Sequence, residues 1–276
     1  MNQGRVLHWF ALLVALGAAI VFLGLLTDTI REGLPHLTWQ FLTTAPDERR
    51  GGGGIAPEIV NTVVMVGGAL LVTAPLGLVV AIYQAEWQGR VHDGGVIDQV
   101  RATWLSVPSV VVGFIVYRVA VAWWHWPLSL ATGGLALAVM NWPVMVTVSI
   151  SALKRVPHAY REASLALGAT RFDTVRRVVL PAALAELIDG WGWALARLAG
   201  ESAALIITAG INVSAHWSVW GPGETLAVYI WYVRTEGVGA DAGGVAAATA
   251  LTLMMFIAVT LWLSGRLADW RRRAGH

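Results

Sequence analysis

The sequence contains no cysteine and only one lysine, Lys154, and charged residues make up 13% of its 276 positions. Without cysteine the chain can form neither disulfide bonds nor thiolate metal sites. Its seven histidines are scattered, and no two have the four-residue separation with which a helix presents a metal-binding pair. A soluble domain carries about 25% charged residues. Low charge together with 57% hydrophobic residues therefore indicates an integral membrane protein.

The sequence also lacks the GxxxxGK[ST] phosphate-binding loop, so we do not expect this chain to bind ATP through such a loop. The glycine run at 51–54 follows no predicted strand and makes no dinucleotide-binding fingerprint, and we expect it to be irregular. Dispersed histidines and aspartates give no candidate catalytic cluster. We therefore expect neither an enzyme, nor a cofactor bound by this chain, nor a nucleic-acid partner. Energy for transport would come from another polypeptide or from an ion gradient.

Six apolar runs are long enough to cross a bilayer, which takes about 20 residues of helix. They cover approximately residues 6–26, 59–83, 102–124, 128–153, 184–211 and 243–263. The first run is not followed by a convincing small-residue cleavage site, so we expect it to be retained as a helix. The chain is predicted to be one all-α transmembrane domain over residues 1–276.

Positive side chains in the connections predict the orientation, since short loops rich in Lys and Arg stay in the cytoplasm. With the N-terminus inside, the inner segments hold 13 such residues and the outer segments five. The inner set is Arg5, Arg90, Arg101, Lys154, Arg155, Arg161, Arg171, Arg176, Arg177, Arg266, Arg271, Arg272 and Arg273. The outer set is Arg31, Arg49, Arg50, Arg118 and Arg234. We expect cytoplasmic termini, a cytoplasmic loop at about 154–183 and an outer loop at about 212–242.

The polar stretch between the fourth and fifth apolar runs has the features of two short helices that meet at a turn. Pro157 suits a first helical turn because it has no N–H to leave unpaired, and Glu162 would place negative charge near the positive helix end. Gly168 is predicted to stop this helix. Thr170 and Asp173 have the spacing of a capping box for the next one. These residues alone support a docking surface and a solvated loop equally.

The second of these helices has a predicted buried side. Val175, Val178 and Val179 recur at helical spacing, whereas Arg176 and Arg177 fall on the opposite side. We expect the valines to pack against the bundle and the arginines to face water or lipid headgroups.

This polar stretch resembles the EAA loop of ATP-binding-cassette importer permeases. The pattern of that loop is Glu-Ala-Ala, three residues, Gly, nine residues, Ile, one residue and Leu-Pro. The matching positions are Glu162, Ala163, Gly168, Leu180 and Pro181. Ser164 stands in place of the second Ala and Val178 in place of Ile, which are mild departures. In the family this loop fits into a cleft of the ATPase subunit, so the resemblance implies that these residues couple the chain to an ATPase.

Other segments are similar to permeases of phosphate importers, the PstA type, in the same order and at similar separations. These segments are residues 53–66, 75–87, 108–117, 196–210 and 225–231. Ala227 departs from the proline that the family commonly has there, which weakens the expectation for contacts of the outer loop. The resemblance covers most of the chain from Gly53 onward and implies six transmembrane helices in the type I importer architecture.

Asp189, Arg197 and Glu201 are charged residues that fall within the fifth apolar run. An ionisable residue near the bilayer centre costs about 2.5–3.5 kcal/mol on insertion scales, so such residues should face protein or water. Arg197 and Glu201 are four residues apart and can pair on one helix side, with Trp193 one turn earlier. Asp189 and Glu186 lie closer to the inner surface, and we expect them to be solvated or to face a partner.

Two interpretations fit the pair of Arg197 and Glu201. In the first, Arg197 supplies positive charge to an oxyanion in a cavity between helices, because its planar guanidinium matches phosphate and stays charged. Glu201 then holds or releases the arginine. In the second, the pair only joins its helix to a neighbour. Resemblance to the ARxxGE segment of phosphate permeases, whose Arg and Glu are implicated in transport, favours the first interpretation.

The resemblance also implies the other parts of an importer. These are a PstC-like sister permease, two ATPase subunits that bind ATP and Mg, and an extracytoplasmic phosphate-binding protein, assembled in a bacterial cytoplasmic membrane. Phosphonate, sulfate and molybdate remain alternative solutes, because a guanidinium accepts them as well. An ion-coupled secondary transporter is a less favoured alternative. Glu201 could serve as its coupling carboxylate, but internal repeats are not evident.

Overall fold

The computed structural model describes residues 3–47, 52–88, 95–211, 217–237 and 241–274. Helices dominate this described part, and its sheet is a two-residue antiparallel ladder. In the ladder Pro46 pairs with Gly53 and Asp47 with Gly52, so part of the glycine run that we expected to be irregular is paired. Some sequence predictions fall outside the described residues: those on Arg49, Arg50, Gly51 and Arg90, and parts of the outer loop at 212–216 and 238–240.

The helices are numbered in chain order. They are α1 (Gln3–Gly33), α2 (Trp39–Thr43), α3 (Ala56–Ile82), α4 (Val96–Leu105), α5 (Ser109–Val116), α6 (Leu130–Arg155), α7 (His158–Ala166), α8 (Arg171–Thr174), α9 (Leu180–Ala199), α10 (Ala203–Thr208), α11 (Leu226–Glu236) and α12 (Ala242–Ala274). A 3-10 turn follows α1 at Leu34–His36. Wider π-helical turns follow α3 at Tyr83–Trp87, α5 at Tyr117–Trp123 and α8 at Val175–Val179.

Five helical segments of the described chain are long and apolar enough to cross a membrane. They are Leu7–His36, Ala56–Trp87, Leu130–Arg155, Arg171–Ala199 and Ala242–Arg273. A sixth crossing is obtained when Val96–Leu105 and Ser109–Trp123, which meet at a bend of 102°, are taken as one broken span. These segments confirm the predicted all-α membrane fold, and each corresponds to one of the six predicted apolar runs.

The third predicted run, 102–124, is not one helix. α4 ends at Leu105, and α5 starts after Pro108, which has an extended ψ of 140°. A proline also disfavours helical geometry in the residue before it, here Val107. The chain therefore turns at this position, so the span predicted at 102–124 consists of two helices and not one.

α4 turns its polar side chains inward. Val96 is 76% exposed and Val100 is 52% exposed, whereas Asp98 accepts a 2.7 Å hydrogen bond from Arg101. Arg101 also donates to the hydroxyl of Thr147 on α6 at 2.8 Å. A helix that presents valines outward and an ion pair inward is suited to apolar surroundings.

The fifth predicted run, 184–211, also differs from the structure. Its helix begins at Arg171 and ends at Ala199, and Gly200 to Ser202 separate it from the short α10. The π-helical turn Val175–Val179 joins α8 to α9 without a break. Because the ring of Pro181 would clash with the carbonyl of Arg177 in an ordinary α-turn, a widened turn just before it keeps the helix continuous.

The core of the bundle is formed by α3, α6, α9 and α12, which pack against one another. Met65 of α3, Leu137 of α6 and Leu198 of α9 are buried in one cluster. α9 and α12 approach closely where Gly192 faces Ser264, since a Cβ on the glycine would lie 2.2 Å from the serine Oγ. Small residues at such contacts allow helix backbones to come together in a membrane.

α1 makes little contact with the bundle. None of its most apolar 18-residue stretch is buried, and it meets α12 near its C-terminal end. There Gly33 packs directly on the backbone of Ala247, since a Cβ on the glycine would lie only 2.6 Å from the Ala247 carbonyl carbon. Most of α1 is thus an apolar surface available to lipid or to another subunit.

Candidate functional site

The elbow between α7 and α8 has the turn and the cap that were predicted. α7 ends at Ala166, and Gly168 follows with a φ of +83°. A Cβ on Gly168 would meet no atom within 4 Å, so the left-handed backbone, and not a lack of space, requires glycine. Thr170 Oγ1 accepts a 3.1 Å hydrogen bond from the N–H of Asp173 and donates to the Asp173 carboxylate at 2.6 Å. This cap starts α8 and confirms the pairing of Thr170 with Asp173.

Two details of α7 differ from the prediction. Pro157 precedes the helix as its N-cap, with a ψ of 140°, and His158 is the first helical residue. Glu162 is the fifth of nine helical residues, so it does not lie near the positive end of the helix. Glu162 is exposed on the helix surface, so any contact that it makes with a partner depends on that exposure.

The outward side of the elbow carries large apolar side chains. We call Tyr160, Glu162, Ala163, Leu167 and Phe172 the docking face, and all five are exposed. Leu167 is 89% exposed, Phe172 64% and Tyr160 53%. Three large apolar side chains exposed in a polar segment are typical of a surface that binds another protein.

The inward side of the elbow packs against the bundle. Val175 and Val179 are buried and Val178 is half-buried, whereas Arg176 and Arg177 are exposed. The predicted division of this helix into a valine side and an arginine side is therefore confirmed.

Leu180 and Pro181 stand where the elbow becomes the long helix α9. Leu180 packs against the buried cluster that contains Val179, Ala183 and Leu187, and Pro181 is exposed at the first turn. Both residues lie in the helix, directly after the π-helical turn. The structure therefore brings the five residues predicted to couple the chain to an ATPase into one continuous elbow, with Glu162, Ala163 and Gly168 at its exposed tip.

Arg197 lies in the last turn of α9, and Glu201 lies just beyond the helix end. The arginine side chain is 53% exposed and the glutamate side chain 18%, and Arg197 Nη2 is 4.0 Å from Glu201 Oε1. A charge-assisted hydrogen bond would be about 2.7–2.9 Å long. The two groups attract each other without bonding directly, and within the described residues the guanidinium donors remain available to an anion. The negative end of the helix dipole also favours a cation at this position.

The exposed side of α9 continues one turn earlier. Trp193 is 62% exposed, whereas Ala194, Ala196 and Leu198 on the other side are buried. An arginine within a membrane span is costly in contact with lipid. This side of α9 must therefore face a water-filled cavity or another subunit.

Glu186 was predicted to be solvated or to face a partner, whereas its contacts in the structure are with two arginines of this chain. Its carboxylate accepts a 3.0 Å hydrogen bond from Arg272 of α12 and is also bonded to Arg155 of α6. Arg272 donates in addition to Asp269 at 2.8 Å. Glu186 thus ties α9 to the C-terminal ends of α6 and α12, while Asp189 is partly exposed.

Sequence reasoning missed the contact between Arg161 and Glu86. The guanidinium and the carboxylate are 2.7 Å apart, and the two side chains are only 13% and 10% exposed. The available signal was weak: both residues are predicted to lie on the cytoplasmic side, but 75 positions separate them.

A protein-family model confirms what these features indicate. The model, described as "Binding-protein-dependent transport system inner membrane component", matches residues 74–273 and so includes the elbow and Arg197. The chain belongs to this family. It is therefore a multi-pass membrane permease of an ABC importer, and the family comprises transport subunits and not catalytic ones.

Named relatives of this permease match it over nearly its full length. The "Probable ABC transporter permease protein YqgI" of Bacillus subtilis is 35% identical over 274 residues, covering 92% of each chain. The "Phosphate transport system permease protein PstA 2" of Mycobacterium bovis is 30% identical over 270 residues, covering 96% of this chain and 88% of the relative. The expected resemblance to PstA-type permeases is thus confirmed.

Solved structures confirm the fold of the permease. A chain of the bacterial alginate ABC transporter in complex with its periplasmic protein superposes with a TM-score of 0.63 at 14% identity, covering 94% of both chains. A chain of the inward-facing MetNI methionine ABC transporter superposes with a TM-score of 0.60 at 17% identity, covering 79% of this chain and 94% of that one. The permease therefore has the type I ABC importer architecture.

Proposed function

We propose that this permease moves inorganic phosphate into the cell across a bacterial cytoplasmic membrane, driven by ATP hydrolysis in separate subunits. The observation that carries the proposal is the half-exposed guanidinium of Arg197, which lies 4.0 Å from the Glu201 carboxylate. A permanently charged planar fork with unused donors is suited to a phosphate oxyanion. Relatives named as phosphate transport permeases support the same solute.

Coupling to the ATPase runs through the elbow. The docking face offers Leu167 and Phe172 as apolar anchors next to the exposed carboxylate of Glu162. Gly168 fixes the turn that presents them, and Leu180 with Pro181 connects the turn to α9. ATP and Mg are bound by two ATPase subunits and not by this chain, whose sequence lacks the phosphate-binding loop.

A PstC-like sister permease completes the transmembrane pathway. Two exposed surfaces support it, namely the unburied stretch of α1 and the side of α9 that carries Trp193 and Arg197. The sister subunit covers both, and the guanidinium then faces a cavity at the subunit boundary instead of lipid. An extracytoplasmic phosphate-binding protein delivers the anion to that cavity.

The elbow lies on the cytoplasmic side with both termini. The contact of Arg272 with Glu186 supports this arrangement, because it holds the C-terminal end of α12 beside the helix that leaves the elbow. At the opposite end of α12, Asp241 lies 2.5 Å from His36, which follows α1. If α1 crosses the membrane once, its N-terminus returns to the elbow side.

The test is uptake by the complete importer reconstituted in liposomes. We expect radiolabelled phosphate to accumulate only when ATP is supplied on the side of the membrane that carries the ATPase subunits and the binding protein is supplied on the other side. Sulfate, molybdate and phosphonate should compete little. Effective competition by one of those anions would reassign the solute. Transport that follows an ion gradient without an ATPase, or a docking face found outside the cell, would overturn the proposal.

A further inference from the structure

Arg161 immediately precedes Glu162 of the docking face, but its side chain points the other way. Glu162 is exposed, whereas the Arg161 side chain is only 13% exposed. One guanidinium therefore lies between the surface that would meet the ATPase and the rest of the bundle. Its partners determine which helices follow when α7 moves.

Those partners come from two other helices. Arg161 Nε lies 3.1 Å from each carboxylate oxygen of Glu86, and Nη2 lies 2.7 Å from Oε1. Nη1 donates to the carbonyl of Val156 at 2.7 Å, and Nη2 donates to the carbonyl of Leu153 at 2.9 Å. Four of the five N–H groups are thus used: one on Nε, one on Nη1 and two on Nη2. Glu86 belongs to the π-helical turn that ends α3, and Leu153 lies in the last turn of α6.

The geometry is stiffer than that of an ordinary surface ion pair. A planar guanidinium held by a carboxylate and two fixed carbonyls has little freedom to rotate. By contrast, Arg177 and Asp173 on the same elbow are 3.8 Å apart, with 77% and 41% of their side chains exposed. α7 itself has only nine residues, too few for a helix to be stable alone, so its position depends on such contacts.

We propose that Arg161 and Glu86 are positioning residues that make α7, the end of α3 and the end of α6 move as one unit. Movement of the docking face is then passed directly to two helices of the core, in addition to α9. This inference rests on the proposed function, since it assigns a route for the movement that an attached ATPase produces.

The experiment uses the complete importer in liposomes and compares Glu86→Gln and Arg161→Gln with the wild type. The amount of ATPase that copurifies is measured first, then ATP hydrolysis with and without binding protein, then anion transported per ATP. We expect copurification within about twofold of wild type and at least a fivefold loss of transport per ATP. Arg161→Lys, which keeps the charge and can reach Glu86, should recover part of that ratio.

Arg101→Gln is the matched control, because Arg101 also makes a 2.7 Å ion pair that is mostly buried, with side chains 21% and 27% exposed, but away from the elbow. Its transport per ATP should stay near wild type even if less protein folds. An unchanged ratio in Glu86→Gln, or the same loss in Arg101→Gln, would overturn the inference. If no ATPase copurifies with the wild-type permease, the proposed function is overturned, and this inference with it.

A second measurement does not depend on the stability of these variants. The chain has no cysteine, so two introduced cysteines carry spin labels at unique positions. We suggest Tyr83→Cys at the end of α3 and His158→Cys on α7, both at exposed positions. The distance between the labels should be the same with and without ATP in the complete importer. A shift of more than about 5 Å, roughly one helical turn, would show that the helices move separately and would overturn the inference.

Discussion

Arg197 and Glu201 face each other across 4.0 Å at the point where α9 ends. Because this distance is longer than a hydrogen bond, the carboxylate can hold the guanidinium in place while leaving its donors free. We predict that Arg197→Gln lowers phosphate uptake about 10- to 100-fold, the loss that corresponds to about 1.5–3 kcal/mol for a hydrogen bond to a charged group. Uptake per expressed permease is the measurement.

Two further variants make this prediction specific. Arg197→Lys keeps the charge but loses the planar fork, so it should retain an intermediate rate. Arg234→Gln removes another exposed arginine, 3.6 Å from Glu32, and should leave uptake near wild type. Uptake by Arg197→Gln within twofold of wild type would mean that the arginine only supports the structure.

Gly168 allows a prediction about the elbow that separates conformation from packing. A left-handed backbone costs a residue with a side chain roughly 1–2 kcal/mol. Since space around Gly168 is open, Gly168→Val should distort the turn, release the ATPase and leave the bundle folded. Copurification of the ATPase and thermal unfolding of the permease in detergent measure the two effects. Gly168→Asn should be milder, because asparagine tolerates this conformation better.

The control is Gly67, a helical glycine whose added Cβ would also meet nothing within 4 Å. Gly67→Ala should leave ATPase binding unchanged and stabilise the helix by about 0.5–1 kcal/mol. Full ATPase binding by Gly168→Val would contradict the role that we give to the turn.

The contact of Gly192 with Ser264 predicts a mutation that a second mutation repairs. A Cβ at position 192 would lie 2.2 Å from Ser264 Oγ and 2.3 Å from its Cβ. Gly192→Ala should therefore separate α9 from α12 and lower stability by about 1–3 kcal/mol, as overpacking does. Adding Ser264→Gly removes both clashing atoms and should restore most of the loss. Thermal unfolding of the single and double variants measures this, and a double variant no better than Gly192→Ala would count against the contact.

Glu58 gives a prediction of increased stability. It is 1% exposed at the start of α3, and in the described part of the chain its Oε2 has no hydrogen-bond partner. Glu224 is also 1% exposed. An amide of the same shape carries no charge to bury, so Glu58→Gln should raise the unfolding midpoint by roughly 2–6 °C. Glu58→Ala leaves a cavity and should lower it. A lower midpoint for Glu58→Gln would indicate that the carboxyl group binds something.

Local signals in the sequence were sufficient for much of the elbow. Gly168 as a helix stop and Thr170 with Asp173 as a cap depend on neighbours within four residues, and the structure contains both. The six apolar runs likewise follow from the length of helix that a bilayer requires. Hydropathy therefore predicted the fold class, and short-range capping chemistry predicted the turn.

Features that depend on distant residues or on backbone geometry were not predictable in this way. The bend before α5 lies within an apolar run, where Pro108 is compatible with either a helix start or a kink. The fifth span was predicted to start at residue 184, 13 residues after the continuous helix begins at Arg171, because the polar elbow hides that α8 continues into α9. The ion pairs of Glu186 were not predicted, because Arg155 and Arg272 come from other helices. Contacts between residues on different helices leave no signal in the local sequence.

The unbroken helix from Arg171 to Ala199 has a mechanical consequence. Its 29 residues make a stiff lever arm of about 43 Å, with the proposed ATPase contact near one tip and the guanidinium of Arg197 near the other. A tilt of roughly 5° at the elbow end would displace the far tip by roughly 4 Å, more than the length of a hydrogen bond. A small swing at the base is thus enough to bring the arginine to an anion or to withdraw it.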